Sequence, residues 1–525
     1  MRSDTAATGW IFTFFLCLYL LTAGGHYGGD GFWAYLTAES IVLDGDLTIG
    51  DRPFLIKEMV NQYSASPEEG VVAASGRRYS MYGLGMVLVE IPFYATGYLL
   101  ARAFPGVPED YITMFTVSMT NVFLSAIWCV VFFSLVRRFG YKRSTCLWIT
   151  GIFGMGSFVF PYALYGFSEP LLGLAFLGAV AALYSYRQNG SYFSLVCAGV
   201  LSGFAVFTKI YAVIALPLFA LYIWPEISSR PPKHQTRAWV SWIIPLIFFG
   251  MLTAGYNWVR YDSMFETGYH LVDFTKIGGF FHIAPFQVGI GLYGLLLSSG
   301  RGVFFFLPVT LLAPIAFRRF WISFRMETLL FTTLIGEHIL FYACYGNWHG
   351  GSSWGPRFLL PVLPFLILPL GSLMEGQRIR AFFVKALGLA GFLVQLPAAL
   401  VNYHLFVRFV QDQRIGDLMG LPGQPGDPLF SPNLSPIVGG YYQVVSGVFR
   451  LFTGQSLTYP VASAAEGGLA SLASCDLIDI WSVNVIRTGF LGPLATIGIA
   501  GAVFLLIFLM VVSAKKLIRW SQITR

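Results

Sequence analysis

The stretch MYGLGMVLVEIPFYATGYLLARAF, residues 81–104, decides how the chain is threaded. A membrane-crossing helix takes about 20 apolar residues, and this stretch could supply them. Counting it as a crossing turns every later basic cluster to the opposite side. Those clusters are Arg137, Arg138, Lys142 and Arg143; Arg187; Arg230, Lys233 and Arg237; Arg318, Arg319 and Arg325; Arg378, Arg380 and Lys385; and Lys515, Lys516 and Arg519. Without 81–104, each follows every second apolar segment. Basic loops stay cytoplasmic. The stretch is therefore read as a helix lying in, or dipping into, the outer interface. Glu90, Pro92 and Arg102 suit that position.

The remaining apolar segments are 10–24, 111–136, 144–163, 169–186, 192–208, 210–225, 239–259, 302–317, 327–345, 357–374, 381–401 and 490–514. The expected fold is all-α, a polytopic integral membrane protein of about 12 transmembrane helices with both termini cytoplasmic. Composition demands the same class. Of 525 residues, 56% are hydrophobic and only 11% charged, against about 25% charged in soluble domains. The net charge of +7 sits in the loops and is no nucleic-acid signature. The six cysteines are scattered, with no pairing framework or metal spacing. Three regions follow: a transmembrane module, 1–401, with a large first external loop at 25–110; an external segment, 402–488; and a last transmembrane helix with a basic tail, 489–525.

Polar groups gather on the outer face. The first loop holds Asp30 in GGHYGGDGFWAYLTAES (24–40), then Arg77, Arg78, Tyr79 and Tyr82. Glu169 stands at the mouth of a helix in PYALYGFSEP, and Lys209 in the turn FTKIY. His270 closes NWVRYDSMFETGYH, Arg301 sits in SSGRGVFFFLP, and Trp348, His349 and Arg357 lie in YGNWHGGSSWGPRF. Ionisable groups at membrane depth cost about 2.5–3.5 kcal/mol each on insertion scales and usually line a working cavity. Plainer roles are open for each. Asp30 could cap a helix, Glu169 could complement a helix dipole, Lys209 could snorkel, and Arg301, Arg357, Trp348 and Trp354 could anchor the interface.

Transfer of a group from a lipid phosphate would use such a mixture. A carboxylate orients or deprotonates an acceptor hydroxyl. Lysine and arginine hold the departing phosphate. Aromatic side chains bind a sugar ring. Asp30 and Glu169 could also share a divalent cation. A polytopic transporter or lipid-linked-sugar flippase is the alternative; a transporter should carry ionisable groups through the membrane midplane, whereas a flippase needs only one lateral opening.

Several segments, in order, resemble the GT-C superfamily of polyprenyl-phosphate-sugar glycosyltransferases, the group that includes protein O-mannosyltransferases and lipid A aminoarabinose transferase. They are GGDGFWAYLTAESIVLDGDL, GRRYSMYGLGMVLVEIPFYATGYLL, RRFGYKR, YGFSEPLLGLAFL, AVFTKIYAVIALP, FETGYH, GLLLSSGRGVFFFLP and WHGGSSWGPRFLLPVLPFLILPL, within residues 10–375. The resemblance implies an inverting transferase taking a sugar from a polyprenyl-phosphate donor to an envelope glycan, lipid or protein outside the cytoplasmic membrane. It implies Asp30 as the catalytic carboxylate, acting as base or acceptor-orienting group, with Glu169 at the family's second acidic position, and Lys209, Arg357 and Arg301 near the donor phosphate. Tyr79, Tyr82, Arg78, His270, Trp348 and His349 would line the substrate. Two departures stand out: Gly31 where the family often has Glu, and Tyr82-Gly83-Leu84-Gly85 where it has a Pro-Pro turn. Metal use varies across the superfamily and is left unassigned.

Overall fold

The computed structural model of the chain describes residues 2–24, 30–49, 71–271, 285–403, 406, 427–454, 478–488 and 493–522. His26, Asp51, His282 and Cys475 lie outside them, as does the side chain of His270. The helices of eight residues or more are α1 (Arg2–Thr22), α2 (Asp30–Leu43), α3 (Leu84–Ala103), α4 (Glu109–Arg138), α5 (Arg143–Gly154), α6 (Glu169–Asn189), α7 (Tyr192–Thr208), α8 (Leu216–Ser228), α9 (Pro232–Tyr261), α10 (Pro285–Leu297), α11 (Ala313–Ser323), α12 (Arg325–Ala343), α13 (Arg378–Leu400), α14 (Pro436–Thr453), α15 (Trp481–Thr488) and α16 (Pro493–Gln522). A two-stranded antiparallel ribbon, β1 (Val71–Val72) with β2 (Arg78–Tyr79), is a small exception to the all-α expectation.

Among the described residues, nine helical segments have the length and composition to cross a membrane, not twelve. Two expected spans are broken. In 144–163, α5 stops at Gly154, and only the short turn Val159–Tyr162 follows. In 302–317, Val303–Phe306 gives way to a 3-10 turn, Pro308–Leu312, before α11. Prolines at 161, 308 and 314 cannot donate a helical hydrogen bond, so neither segment continues as one cylinder.

α3, expected in the interface, is itself among the nine. Its packing is informative. Arg138 Nη1 at the end of α4 donates to Ser185 of α6, while Asn121 Nδ2 of α4 donates to the carbonyls of Tyr165 and Phe167, just before α6 begins. Residues 121–138 thus run beside α6, and residues 109–120 project past its start by about 18 Å. α3 docks on that projecting part, with Gly97 against Thr113 and Thr116, and its contact extends to the start of the part beside α6, where Phe93 lies 5.7 Å from Phe123.

The core is aromatic and continuous, with Tyr19, Trp128, Phe132, Tyr162 and Trp354 inside it. By contrast α9 and α16 display apolar side chains outward, among them Ile244, Met251, Ile497 and Phe504. Such a surface needs a lipid solvent. Trp481 and Asn484 of α15 donate to the carbonyls of Leu20 and Gly24, tying the C-terminal region to the end of α1.

Candidate functional site

Four charged side chains from distant parts of the sequence meet at one end of the bundle. Asp30 is the first residue of α2, and Glu169 the first of α6. Lys209 terminates α7 in an extended conformation before a 3-10 turn, and Arg357 opens another such turn. Arg357 Nη1 lies 2.8 Å from Asp30 Oδ2, and Lys209 Nζ donates to Glu169 Oε1 at 2.7 Å. Arg357 Nε is 3.9 Å from the same Glu169 oxygen, an ion pair too long for a hydrogen bond. Glu169 is wholly buried, Lys209 and Arg357 nearly so, and Asp30 is 26% exposed. Two carboxylates and two cations form one chain of pairs with Asp30 at its wet end.

Local structure explains the convergence. Asn121 pins the turn that delivers Glu169. Tyr162 donates to the carbonyl of Trp354 and accepts from its amide, fixing the approach to Arg357. The guanidinium of Arg357 then rests between the rings of Phe167 and Phe358, about 4.8 and 4.9 Å from their centres. On the Lys209 side the chain 83–85 presses against Phe207 and Thr208. A Cβ at Gly83 would fall 2.4 Å from the carbonyl oxygen of Phe207, and one at Gly85 2.1 Å from Thr208 Oγ1. The departure at Tyr82-Gly83-Leu84-Gly85 therefore has a steric cause: backbone must lie on backbone there.

The Tyr82 phenol lies within hydrogen-bonding reach of Asp30. Burial pushes the Asp30 carboxyl up. Arg357, Lys209 and the hydrogen bonds from Tyr82 and Arg357 together outweigh it and hold the group below the usual carboxylate range. Burial and the Asp30 charge raise the Tyr82 phenol well above its ordinary value, so it remains a donor. Tyr269 and Tyr345 lie within electrostatic reach of Asp30 and Arg357, and burial raises both, Tyr345 to about 12. Glu169 Oε2 and Arg357 Nε have no hydrogen-bond partner among the described residues, so the cluster keeps bonding capacity in reserve.

The other nominated residues are not members of this chain of pairs, though Arg301 and His349 hold the turn whose Gly350 lies against Arg357. Arg301, expected at the donor phosphate, is 1% exposed and donates to the main-chain carbonyls of His349, Gly300 and Gly351. His349, expected to line the substrate, accepts from the amide of Gly351 through Nδ1. Burial and Arg301 push its ring down to about 3, so it is neutral. Trp348 packs on Gly294 and 6.0 Å from Phe430, and Trp354 is fully buried, donating to Gln395, so neither is an interface anchor. Tyr79 packs on Tyr261, 6.1 Å away, in the ribbon that also holds Arg78.

One positioning residue escaped the sequence reading. Arg260, at the end of α9, is buried and donates to the carbonyls of Ser80 and Tyr82 and to Asn257. It clamps the segment that presents Tyr82, with its guanidinium 3.7 Å from the ring centre of Tyr256. A lone arginine after an apolar run was its only signal.

Asp30 and Glu169 do not make a convincing divalent-cation site. Each is already matched by a cation, which leaves the cluster without net negative charge. Among the described residues, no three His, Cys, Asp or Glu side chains converge.

No protein-family model and no curated protein matches the chain. The chain is similar in structure to ArnT. The ArnT of Cupriavidus metallidurans in its apo state aligns with a TM-score of 0.44 and 15% identity, over 83% of this chain and 76% of that one. The same protein bound to undecaprenyl phosphate aligns with a TM-score of 0.47 and 13% identity, over 84% and 75%.

Proposed function

We propose that the chain is an inverting glycosyltransferase that takes a sugar from a polyprenyl-phosphate donor and places it on an envelope glycan, lipid or protein. One observation carries the reading: at one end of an apolar helix bundle, Arg357 and Lys209 hold Asp30 and Glu169 in a buried cluster that Asp30 opens to solvent. In this reading the donor phosphate competes with the carboxylates for Arg357 and Lys209. The acceptor hydroxyl donates to Asp30. Its oxygen attacks the anomeric carbon opposite the phosphate. The sugar–oxygen bond breaks with its electrons leaving on the polyprenyl phosphate, and Asp30 takes the proton. A carboxylate of lowered pKa is ionised at neutral pH but weakly basic, which suits proton transfer late in the displacement. No step requires a metal ion.

The distribution of charge supports an outer-face site. α6 places Glu169 at one end and Arg187 near the other, about 27 Å apart, close to the thickness of a hydrocarbon core. The Arg187 end is also where Arg137 and Arg143 meet Asp4 and Lys142 meets Glu375. The positive-inside tendency would make that end cytoplasmic and the Asp30 end external.

The test uses purified protein in nanodiscs with a panel of short-chain polyprenyl-phosphate sugars, followed by thermal stabilisation. Stabilisation by one donor, weakened in Lys209→Ala and kept in Asp30→Asn, is expected. A response to a free solute or lipid, and to no lipid-linked sugar, would transfer the reading to a transporter or flippase.

A further inference from the structure

A second feature lies at the opposite, basic end of the bundle. α5, α13 and the last turns of α16 enclose an open groove of about 790 Å³, a volume typical of ligand sites. The cause is local packing. α13 touches the chain after α5 almost backbone to backbone: a Cβ at Gly391 would lie 2.3 Å from the carbonyl oxygen of Gly156, and one at Gly388 2.6 Å from Ile152 Cγ1. On the other side, Trp520 is buried beneath the guanidinium groups of Arg137 and Arg143, which leaves Ile518 and Ser521 along the groove. A gap remains between these two fixed contacts.

The groove is polar at one end only. Ser144, Ser521 and Lys385 belong to the helix ends that carry the basic clusters. Ile152, Met155, Leu389 and Phe392 line the part nearer the membrane interior. Lys385 has no acidic partner among the described residues; its ammonium lies 5.0 Å from the ring centre of Trp148 at the groove wall. Lys515, Lys516 and Arg519 follow on α16, also without carboxylate partners among the described residues. An apolar channel ending beneath an unpaired cation matches an acyl chain with an anionic headgroup, and basic pockets between helices on the cytoplasmic side recognise such heads.

We infer that this groove is a binding site for an anionic glycerophospholipid, with one acyl chain along Gly151, Ile152, Leu389 and Phe392 and the phosphate at Lys385. The site is separate from the Asp30 cluster, and its occupant is a membrane lipid rather than the sugar donor. Gly151 offers a direct probe: it lines the groove and a Cβ there meets nothing within 4 Å, so a side chain can start into the groove without displacing backbone.

Native mass spectrometry of the full chain in mild detergent, titrated with dioleoyl phosphatidylglycerol, dioleoyl phosphatidylcholine or decaprenyl phosphate, tests this. The wild type should retain phosphatidylglycerol over phosphatidylcholine. Lys385→Glu should weaken phosphatidylglycerol by about fivefold or more and erase the preference. Gly151→Phe, with Leu389→Trp as a second filling variant on an exposed position, should lose the bound lipid at an unchanged unfolding midpoint. Undiminished phosphatidylglycerol in both filling variants would overturn the inference. So would equal retention of the zwitterionic lipid, a preference that survives in Lys385→Glu, or displacement by decaprenyl phosphate at lower concentration.

Discussion

Arg357 and Arg301 were nominated for the same task, and both are buried, yet the protein treats them differently. Arg301 donates to three main-chain carbonyls, two of them in the turn at 349–351 and one on the neighbouring Gly300, that cannot move away without unmaking the local backbone. Arg357 faces two carboxylates and keeps Nε without a hydrogen bond among the described residues. An arginine on carbonyls is a brace. An arginine on carboxylates can exchange one anion for another, so a phosphate could compete for it. The partners, rather than the residue type or its burial, separate the two.

The comparison can be broken first at Asp30. Asp30→Asn should lower transfer by about 10²–10⁴-fold, the usual worth of a positioned acid or base. It also removes the partner of a buried guanidinium, so some stability should be lost. Adding Arg357→Gln should restore the unfolding midpoint without restoring turnover. If the double variant is no more stable than the singles, the two groups are not an exchangeable pair.

Arg301→Gln should give the opposite pattern. Three hydrogen bonds from a charged group disappear and buried carbonyls are left open, for a loss on the order of 4 kcal/mol. The folded fraction should still bind donor with wild-type affinity. A selective loss of donor affinity at full stability would put Arg301 back at the phosphate.

Tyr82→Phe sharpens the picture of Asp30. The Tyr82 hydrogen bond lowers the Asp30 pKa, so removing it should move the acid limb of kcat/KM to higher pH. The maximal rate should change by about tenfold or less. A pH profile identical to wild type would exclude Tyr82 from the site.

The smallest effect concerns His349, the companion of Arg301. Its pKa is depressed to about 3 in the fold. Between that value and its ordinary value of about 6.5, the unfolded chain binds a proton that the folded chain does not. Stability contributed by neutral His349 is therefore full above pH ~6.5 and is lost as the pH falls toward about 3. Thermal unfolding of His349→Gln should show a shallower decline across that window. An unchanged slope would mean that other groups carry the acid sensitivity.

Asp30, Glu169, Lys209, Arg357 and Tyr82 were legible because each interrupts an apolar or glycine-rich run where a charge or phenol is costly. Arg260 interrupts such a run in the same way, but its role depends on carbonyls of residues 80 and 82, far away in sequence. Arg301 looked like Arg357 because glycines flank the one and a Gly-Pro pair precedes the other. No local pattern reveals whether a buried cation will meet carboxylates or carbonyls.

The same division holds for the whole chain. The scarcity of charge and the lengths of the apolar runs determined that it is a helical membrane protein, because too few polar side chains exist to cover its surface. Only the tertiary structure decided which segments break, as at Gly154 and Pro308, and where α3 docks. It alone joined Asp30 to Arg357 and Glu169 to Lys209, since those pairings come from helix ends brought together by packing and from no spacing along the chain.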